Sequence, residues 1–566
     1  MIYRTEHPKP QFMRESFRNL NGSWGFEFDF SKSASERGVL ESDTPLQNEI
    51  NVPFCPESKL SGINYTDFIP ACIYRKEFML GENEMSGNIF LHFGAVDYKA
   101  TVYLNGVCVG THKGGYSSFS FDITRFCQQG INTLTVYCED DTRSSDIPSG
   151  KQCHKYESYG CFYTRTTGIW QTVWLEFTSK EYIKSVRYFT DINSGAVSVK
   201  ASLAGKGELK ARVLFDGKLV GSGSVKTDCG QALINIKLDE IHLWELGKGN
   251  LYDVELEFGS DRVKSYFGLR EIHFDGMRFM LNGKSIFMRL VLDQGFYPDG
   301  VYTAPSDKEL ENDIIRSMAM GFNGARLHEK VFEERFLYHA DRHGYIVWGE
   351  YANWGLDISR PESVHNILPE WLEIVNRDIN HPSIIGWCPF NETWDEGGRR
   401  QCDDILRLVY LATKSTDPSR PCIDTSGNYH VISDVFDVHD YDASGSAIRE
   451  RYKNLPYGFD DKFADRQEYI SGMPLFISEY GGIGFMLDRN GWGYGNIPES
   501  KQAFLDRLTD VTGAILDNKY ICGFCYTQLT DVEQECNGLY TYDRIAKFDP
   551  AEISKIISAP AAIEKE

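Results

Sequence analysis

The sequence predicts a chain of three parts: an N-terminal β jelly roll, an immunoglobulin-like β-sandwich and a C-terminal (β/α)8 TIM barrel. Two observations predict this organisation. Short alternating strands without helices fill the first half of the chain, and strands alternate with helices from about residue 274 onward. The length of 566 residues is enough for three domains.

Residues 1–178 are predicted to form the jelly roll. The segment Asn88–Phe93 is a short apolar strand, and Ala100–Leu104 is followed directly by Asn105-Gly106. An Asn-Gly pair after an alternating run is a strong hairpin signal. Further strands are predicted at Asn132–Cys138 and Thr172–Phe177. Many strands without helices are typical of a sandwich or a jelly roll.

Residues 179–273 also alternate and have the size of an immunoglobulin-like sandwich. Apolar residues recur at every second position in two neighbouring segments, which predicts one buried face on each strand. The first set is Val197, Val199, Ala201 and Leu203, and the second is Leu209, Ala211, Val213 and Phe215.

Residues 274–566 contain eight predicted strands with helices after most of them, a pattern that fits a TIM barrel. An open doubly wound sheet is the alternative, but no G-x-G-x-x-G opens a helix after a first strand. The predicted strands are Ile286–Val291, Gly324–Leu327, Tyr345–Glu350, Ile384–Phe390, Pro421–Asp424, Val435–His439, Leu475–Ser478 and Ile521–Tyr526. The predicted helices are Ser306–Met320, Glu333–His343, Trp371–Asn380, Asp403–Thr416, Lys501–Asn518 and Ala551–Ile557.

Charge and composition exclude several classes of partner. The net charge is −22 and no lysine/arginine cluster appears, so a nucleic-acid partner is not expected. No apolar run is long enough to span a bilayer, so no membrane partner is expected. The N-terminus lacks an apolar signal-peptide core and the 14 cysteines are scattered, which predicts a cytoplasmic protein. A leader removed from the natural chain and a homo-oligomeric state are left open by the sequence.

Two glutamates follow short apolar strands in the barrel region. Glu392 follows the predicted strand Ile384–Phe390 after one intervening residue, Asn391. Glu479 directly follows the predicted strand Leu475–Ser478. An unpaired buried charge is costly, so acids at these positions indicate function rather than packing. Strands four and seven of a barrel face each other across its mouth, a geometry that permits the carboxylate spacing of about 5–5.5 Å found in retaining glycosidases.

The chain closely resembles glycoside hydrolase family 2, the β-galactosidase, β-glucuronidase and β-mannosidase family, over essentially its whole length. Each motif alone is weak, and their order is specific. The motifs are Leu20–Trp24, His92–Asp97, Leu104–Gly106, Gly110–Tyr116, Phe119–Thr124, Thr167–Val173, Phe267–Arg270, Asn391-Glu392 and Ser478–Gly481. The resemblance implies that Glu392 is the general acid/base and Glu479 the nucleophile.

The resemblance also implies four supporting residues. Asn391 would bind the sugar 2-hydroxyl, and Tyr441 would hydrogen-bond the nucleophile. Arg326 would orient the nucleophile, and His328 would bind a sugar hydroxyl. For Asn391 the alternative is a turn residue, for Tyr441 a core aromatic residue, for Arg326 an ion pair at the barrel rim, and for His328 a polar surface residue.

Five further residues are candidate sugar ligands by position. Sugars present apolar C–H faces, so an aromatic platform near the strand tips is expected. Trp354 and Tyr526 are predicted to stack on the sugar, and packing in the protein core is the alternative for each. His439 precedes Tyr441 on predicted strand six, and Asp293 and Gln294 follow predicted strand one.

The substrate is expected to be the terminal, non-reducing residue of a neutral β-glycoside. β-Glucuronidases of the family hold the uronate with Asn-x-Lys, whereas this chain has Glu535-Cys536-Asn537 there. An acid would repel a uronate, so a β-glucuronidase is disfavoured. Many β-galactosidases carry Arg-His-Glu where this chain has Asp293-Gln294-Gly295, and these residues still suit a neutral sugar.

A β-galactoside is the first choice because it is the commonest family activity, which is an argument by association. A β-mannoside, a galactofuranoside and an arabinoside remain open. A glycan-binding protein with an inactive barrel is the non-enzymatic alternative. No cofactor is expected, since a metal-dependent hydrolase would need a clustered ligand motif such as His-x-x-x-His. Whether Mg²⁺ or Na⁺ binds near the acid is left open.

Overall fold

The computed structural model describes residues 2–396, 399–487 and 491–565. Within them, three large hydrophobic cores follow one another along the chain, drawn mainly from residues 20–175, 183–269 and 272–563, and a small fourth cluster lies in the first region. Tyr116, Tyr163 and Trp170 are exceptions, because they leave the first region and pack into the core of the third. The N-terminal region is therefore docked onto the barrel by buried aromatic side chains.

The first region is a β jelly roll of two main sheets. Their strand orders are β3-β2-β4-β10-β7-β8 and β1-β12-β5-β9, and β6 pairs with β11. The strands are β1 Phe17–Asn19, β2 Gly22–Phe28, β3 Asn48–Val52, β4 Ala71–Leu80, β5 Asn88–Phe93, β6 Val96–Asp97, β7 Lys99–Leu104, β8 Val107–Lys113, β9 Phe119–Asp122, β10 Gly130–Glu139, β11 Gly168–Ile169 and β12 Val173–Thr178.

The predicted hairpin at Asn105-Gly106 is confirmed. Leu104 of β7 pairs with Val107 of β8, and only the two turn residues lie between them. Asn105 has φ of 52° and Gly106 has φ of 77°. Two positive φ angles in a two-residue loop define the type I′ turn, which is why asparagine and glycine occupy it.

The second region is a two-sheet sandwich with strand orders β13-β14-β17 and β16-β15-β18-β19. The predicted buried faces are confirmed on β14, and on β15 as far as Val213; a register shift follows there, and Phe215 is only partly buried. The strands are β13 Tyr182–Asp191, β14 Ala196–Ala204, β15 Gly207–Phe215, β16 Lys218–Thr227, β17 Gln231–Lys237, β18 Tyr252–Phe258 and β19 Asp261–Phe267.

The third region begins with a small antiparallel sheet and continues as alternating strands and helices. The strands are β20 Ile272–Asp275, β21 Arg278–Leu281, β22 Lys284–Ile286, β23 Met288–Asp293, β24 Gly324–Leu327, β25 Ile346–Glu350, β26 Ile384–Cys388, β27 Asp395–Glu396, β28 Arg399–Arg400, β29 Phe436–Asp440, β30 Leu475–Gly481 and β31 Ile521–Thr527. The helices are α1 Asp307–Ala319, α2 Glu334–His343, α3 Val364–Asp378, α4 Asp403–Thr416, α5 Gly445–Arg451, α6 Lys501–Leu516 and α7 Pro550–Ile557.

Seven strands of the barrel form one parallel sheet in the order β26-β25-β24-β23-β31-β30-β29 within the described chain. The predicted strand at Pro421–Asp424 is wrong as a regular strand. The segment instead makes an isolated parallel bridge to β26, Cys422 to Trp387, and a second bridge just beyond both elements joins Ser426 to Asn391. Ser426 then donates to Asp437 of β29 at 2.6 Å, so this irregular segment occupies the eighth position.

The remaining differences are at element ends. Helix α3 begins seven residues before the predicted Trp371, and Pro369 lies inside it. Helix α5 was not predicted, since seven residues are too few for a clear period. Glu392 lies four residues beyond β26, and Glu479 lies inside β30, rather than each directly at a strand tip.

Candidate active site

A pocket opens at the C-terminal ends of the barrel strands. This is the end of a parallel barrel where side chains from different strands meet. The pocket is lined by Lys151, Cys161, Leu292, Gln294, His328, Trp354, Glu392, Tyr441, Glu479, Tyr494, Thr527 and Glu535.

Glu392 is positioned by its backbone. Its φ is 42°, in the left-handed region that residues other than glycine rarely adopt. Its N–H donates to the carbonyl of Ser426 at 2.9 Å, and the preceding Asn391 N–H donates to Asn353 Oδ1 at 2.7 Å. The surrounding loops thus hold a strained conformation, which is a feature of functional sites.

Glu479 is held by donors on both carboxylate oxygens. Arg326 Nη1 donates to Oε1 at 2.7 Å, and the Tyr441 hydroxyl donates to Oε2. Glu479 itself is only 4% exposed. Donors on both oxygens fix the orientation of the carboxylate, as a nucleophile requires.

His439 lies between the two glutamates. Its Nδ1 is 2.7 Å from Glu392 Oε1 and 3.4 Å from Glu479 Oε2. The facing atoms of the three residues all lie within 4.8 Å of one another. That separation matches the close carboxylate pair of a retaining glycosidase and is too short for the wider pair of an inverting one, about 6.5–9.5 Å apart.

The protonation of the Glu392–His439 pair follows from this contact. Burial alone would raise the pKa of Glu392, but the hydrogen bond and positive charge of His439 outweigh it and lower the pKa to about 2. Burial lowers the pKa of His439, and the two carboxylates overcome this and raise it above its usual value. The contact therefore favours the charged form of the pair, with the shared proton on His439.

Arg326 organises the floor of the pocket. It is 1% exposed, contacts the Glu350 carboxylate through Nε, and donates from Nη2 to Asn391 Oδ1 at 2.6 Å. Because Oδ1 is occupied, the Asn391 amide is oriented, and its buried Nδ2 has no partner among the described residues. An unpartnered buried donor near the two glutamates is available to a polar ligand.

Three other predicted ligands also reach the pocket: His328, Trp354 and Gln294. His328 Nδ1 is 3.0 Å from Glu350 Oε2, which makes Nδ1 the donor and leaves Nε2 as an acceptor. Burial, followed by the charges of Lys151 and Arg326, lowers the pKa of His328 well below its usual value. The ring is therefore neutral.

Trp354 and Gln294 are both fixed by hydrogen bonds. The Trp354 indole donates to the carbonyl of Asn391 at 3.0 Å. The Gln294 amide donates to Gln528 Oε1 at 2.6 Å and to the Tyr163 hydroxyl at 2.9 Å. Its buried Oε1 has no partner in the described structure and can accept from a sugar.

Five predicted ligands are absent from the pocket lining. Arg326 and His439 still contact the two glutamates, and Asn391 contacts Arg326. Asp293 and Tyr526 make no such contact among the described residues. The Asp293 carboxylate accepts from the Gly295 N–H at 2.9 Å. Burial, with a contribution from Asp313, raises the pKa of Asp293 to about 6. Tyr526 is fully buried, and its ring packs against Tyr480 and Phe322. Alternation along β31 places the neighbouring Thr527 in the pocket instead.

Family models match the chain in three consecutive blocks. The models described as "Glycosyl hydrolases family 2, sugar binding domain", "Glycosyl hydrolases family 2" and "Glycosyl hydrolases family 2, TIM barrel domain" match residues 17–149, 181–270 and 275–491. The chain belongs to glycosyl hydrolases family 2.

Curated relatives of this family 2 chain carry two different names. A β-galactosidase from Thermoanaerobacter pseudethanolicus is 28% identical over 65% of this chain and 50% of its own length. One from Thermoanaerobacterium thermosulfurigenes is 25% identical over 82% and 64%. The chain thus spans about half to two thirds of these β-galactosidases. A β-glucuronidase from Paenibacillus borealis is 26% identical over 73% of each chain.

The solved structure of a β-glucuronidase from Ruminococcus gnavus, in complex with D-glucuronic acid, superposes with a TM-score of 0.78. It covers 98% of this chain and all of that one, at 20% sequence identity. At this identity the likeness shows the family 2 fold alone, including the TIM barrel and the two β domains.

Several residues that line the pocket were not predicted as ligands from the sequence. Tyr494 stacks on Tyr441 with ring centroids 3.6 Å apart and 7° between planes. Lys151 and Cys161 come from the jelly roll, where no local pattern pointed to the barrel. Glu535 was noted as a departure from the Asn-x-Lys motif, and the structure places it in the pocket.

The catalytic cluster is also the group of His, Cys, Asp and Glu side chains found close enough to hold a metal among the described residues. It fits Mg²⁺ or Na⁺ poorly, because these hard cations prefer oxygen ligands and one of the three groups is an imidazole. His439 is also already hydrogen-bonded to Glu392.

Among the described residues, no helix has the length and apolar character needed to cross a bilayer.

Proposed function

We propose that this family 2 chain is a retaining, exo-acting β-glycosidase that removes a terminal neutral sugar, with a β-galactoside as the first candidate. The observation that carries the proposal is the Glu392–His439–Glu479 arrangement, whose facing atoms lie within 4.8 Å of one another. It provides two carboxylates a short distance apart, and one of them, Glu392, shares a proton with His439.

In the first step, Glu479 attacks the anomeric carbon and the bond to the leaving oxygen breaks. The carboxylate of Glu479 is oriented by hydrogen bonds from Arg326 and Tyr441. The leaving oxygen takes the proton of the Glu392–His439 pair from Glu392, after that proton has crossed the 2.7 Å hydrogen bond from His439. A glycosyl ester on Glu479 remains, and the pair is left without its shared proton.

In the second step, Glu392 takes a proton from water as the water oxygen attacks the anomeric carbon. The ester bond to Glu479 breaks, the sugar leaves with its β configuration, and the pair regains one proton. The unpartnered Nδ2 of Asn391 is placed to bind a sugar hydroxyl through both steps.

A neutral sugar is supported by the acids in the pocket. Glu535 is 3% exposed and accepts from Asn537 Nδ2 at 3.0 Å and from the Tyr163 hydroxyl. With Glu392 and Glu479 it places three carboxyl groups around one small cavity, which disfavours a uronate. The relatives named β-galactosidase and β-glucuronidase make the uronate the natural competitor.

The proposal is tested with p-nitrophenyl α- and β-glycosides of galactose, mannose, glucose, arabinose, galactofuranose and glucuronic acid. We expect cleavage of β-D-galactoside above the other sugars, and release of the β-anomer as first product in proton NMR. Preference for the glucuronide would overturn the neutral-sugar assignment, and an inverted first product would overturn the retaining mechanism.

Two variants assign the roles of the glutamates. Glu479→Ala should abolish turnover by at least about 10³-fold. Glu392→Ala should retain the first step on activated aryl glycosides, and azide should restore its turnover by forming a β-glycosyl azide. Glu552→Ala, at an exposed position of α7, is the control that should keep full activity. Unchanged turnover in Glu479→Ala would overturn the role of Glu479 as the nucleophile, and absence of turnover in the wild type would leave only a glycan-binding role.

A further inference from the structure

Lys151 brings a buried cation from the jelly roll into the barrel pocket. It lies between β10 and β11, is 8% exposed, and lines the pocket together with the catalytic pair. Its ammonium lies 4.6 Å from the centroid of the Trp354 ring. In the described parts of the chain, neither a hydrogen-bond acceptor nor a carboxylate pairs with this ammonium.

The backbone around Lys151 is tightly held. The N–H groups of Ser149 and Gly150 donate to the carbonyl of Trp354 at 2.7 and 3.1 Å. Gly150 has φ of 56°, and a Cβ there would lie 2.4 Å from the Glu329 carbonyl oxygen, so only glycine fits. On the other side, Gln152 is 1% exposed, and its amide donates to Asp97 Oδ2 at 2.6 Å.

The charge of Lys151 is maintained by its surroundings. Burial lowers its pKa, but Cys161, Glu535, Glu479 and Glu392 together raise the pKa above the usual lysine value. A buried ammonium without a partner is costly, because its three N–H donors have lost water. A rigid loop that presents such a group to a catalytic pocket is suited to a ligand that supplies the missing acceptors.

We propose that Lys151 is a specificity-determining residue, which donates hydrogen bonds to hydroxyl oxygens of the sugar held between Glu392 and Glu479. The inference rests on the proposed glycosidase function and deepens it. Glu535 and the unpartnered Oε1 of Gln294 supply acceptors for the same sugar. An ammonium with three N–H groups beside two acceptors can bind several hydroxyl groups of an uncharged sugar ring. Because Lys151 belongs to the jelly roll, that domain contributes to substrate choice.

The competing explanation is that Lys151 only balances the charge of the three carboxylates. The two explanations differ in their dependence on individual sugar hydroxyls. A direct contact fails when one hydroxyl is removed from the sugar, whereas a charge effect acts on every substrate alike and moves the pH profile.

The test compares wild type, Lys151→Met and Lys151→Arg on the best aryl β-glycoside and its monodeoxy analogues. Lys151→Met should lower kcat/KM about 10- to 100-fold on the parent sugar. It should lower kcat/KM little on the one or two deoxy sugars that lack the contacted hydroxyl, and Lys151→Arg should recover part of the loss. Lys155→Met is the matched control, since Lys155 lies exposed on the same loop.

An equal loss on every deoxy sugar, a shifted pH profile without selectivity, or an unchanged kcat/KM would each overturn the proposal. Retention of the wild-type Tm by Lys151→Met shows that the loop still folds. Binding of the free sugars and their deoxy forms to Glu479→Gln, with and without Lys151→Met, gives a readout without turnover. Selective loss of binding there supports Lys151 even if the wild type hydrolyses none of the aryl glycosides, which would contradict the proposed function alone.

Discussion

Replacement of Arg326 by methionine removes the cation that joins the nucleophile to the rest of the pocket floor. Arg326 is 1% exposed and contacts Glu350, Glu479 at 2.7 Å and Asn391 at 2.6 Å. Methionine keeps much of the apolar stem, so little cavity forms. Two buried carboxylates are left without their cation.

The expected cost follows from that loss. Removing one partner of a buried ion pair destabilises a protein by about 3–5 kcal/mol. The same loss of order at Glu479 and Asn391 should lower kcat/KM by about 10²- to 10⁴-fold, at about 1.4 kcal/mol per factor of ten.

The stability loss should depend on pH in a defined direction. Burial raises the pKa of Glu350 to about 7, although Arg326 lowers it. Without Arg326 the folded-state pKa rises further above its unfolded value of about 4.3. A carboxyl group whose folded pKa is raised binds its proton better in the folded state, so the fold loses stability as pH rises from about 5 to 8.

The assay is the Tm of wild type and Arg326→Met at pH 5.5 and pH 8, together with kcat/KM. The Tm deficit should be larger at pH 8, and the double variant Arg326→Met/Glu350→Gln should recover part of it. Arg335→Met removes an ion pair with Asp307 between α1 and α2, and serves as the control without a pH-dependent deficit or loss of activity. An equal deficit at both pH values, or no recovery in the double variant, would refute the electrostatic reasoning.

Two further predictions concern the neighbours of the catalytic pair. Tyr441→Phe removes the hydroxyl donor to Glu479, so kcat/KM should fall about 10- to 100-fold at unchanged Tm. Tyr452→Phe, which removes a similar 3.0 Å donor to Asp440, should keep its activity, and an equal fall in both variants would contradict a role specific to the nucleophile. His439→Gln removes the group that stores the shared proton, so Glu392 must bind it alone. Because the proton would then leave Glu392 rather than the Glu392–His439 pair, the alkaline limb of kcat/KM should move to a different pH. An unmoved limb would show that the proton does not come from this pair.

Much of the fold was predicted from local sequence patterns. The alternation along β14 and the Asn-Gly turn between β7 and β8 each depend on residues close in sequence, and both are confirmed. The segment Pro421–Asp424 was misassigned because its pairing is set by Trp387 and Asn391, which lie outside it. The start of α3 was predicted seven residues too late, and the helix contains Pro369 at an interior position where proline is not expected.

The site residues that could be predicted from the sequence are those at or just after the C-terminal ends of the barrel strands. Glu392, Glu479, Arg326 and Tyr441 meet as the strand order implies. Asp293 and Gln294 were both predicted to bind the sugar, but only Gln294 lines the pocket. Neighbouring residues leave a strand in opposite directions, and the sequence does not show which one faces inward.

The sequence by itself determined the succession of three domains, the family and the two glutamates, because strand periods, turn residues and acids after apolar strands are local signals. Only the tertiary structure decided that His439 joins both glutamates and that Lys151 and Tyr494 complete the pocket. Those contacts depend on how the jelly roll docks on the barrel and on the direction in which each loop side chain leaves its backbone. Both are set by packing between residues far apart in the chain, which no local pattern records.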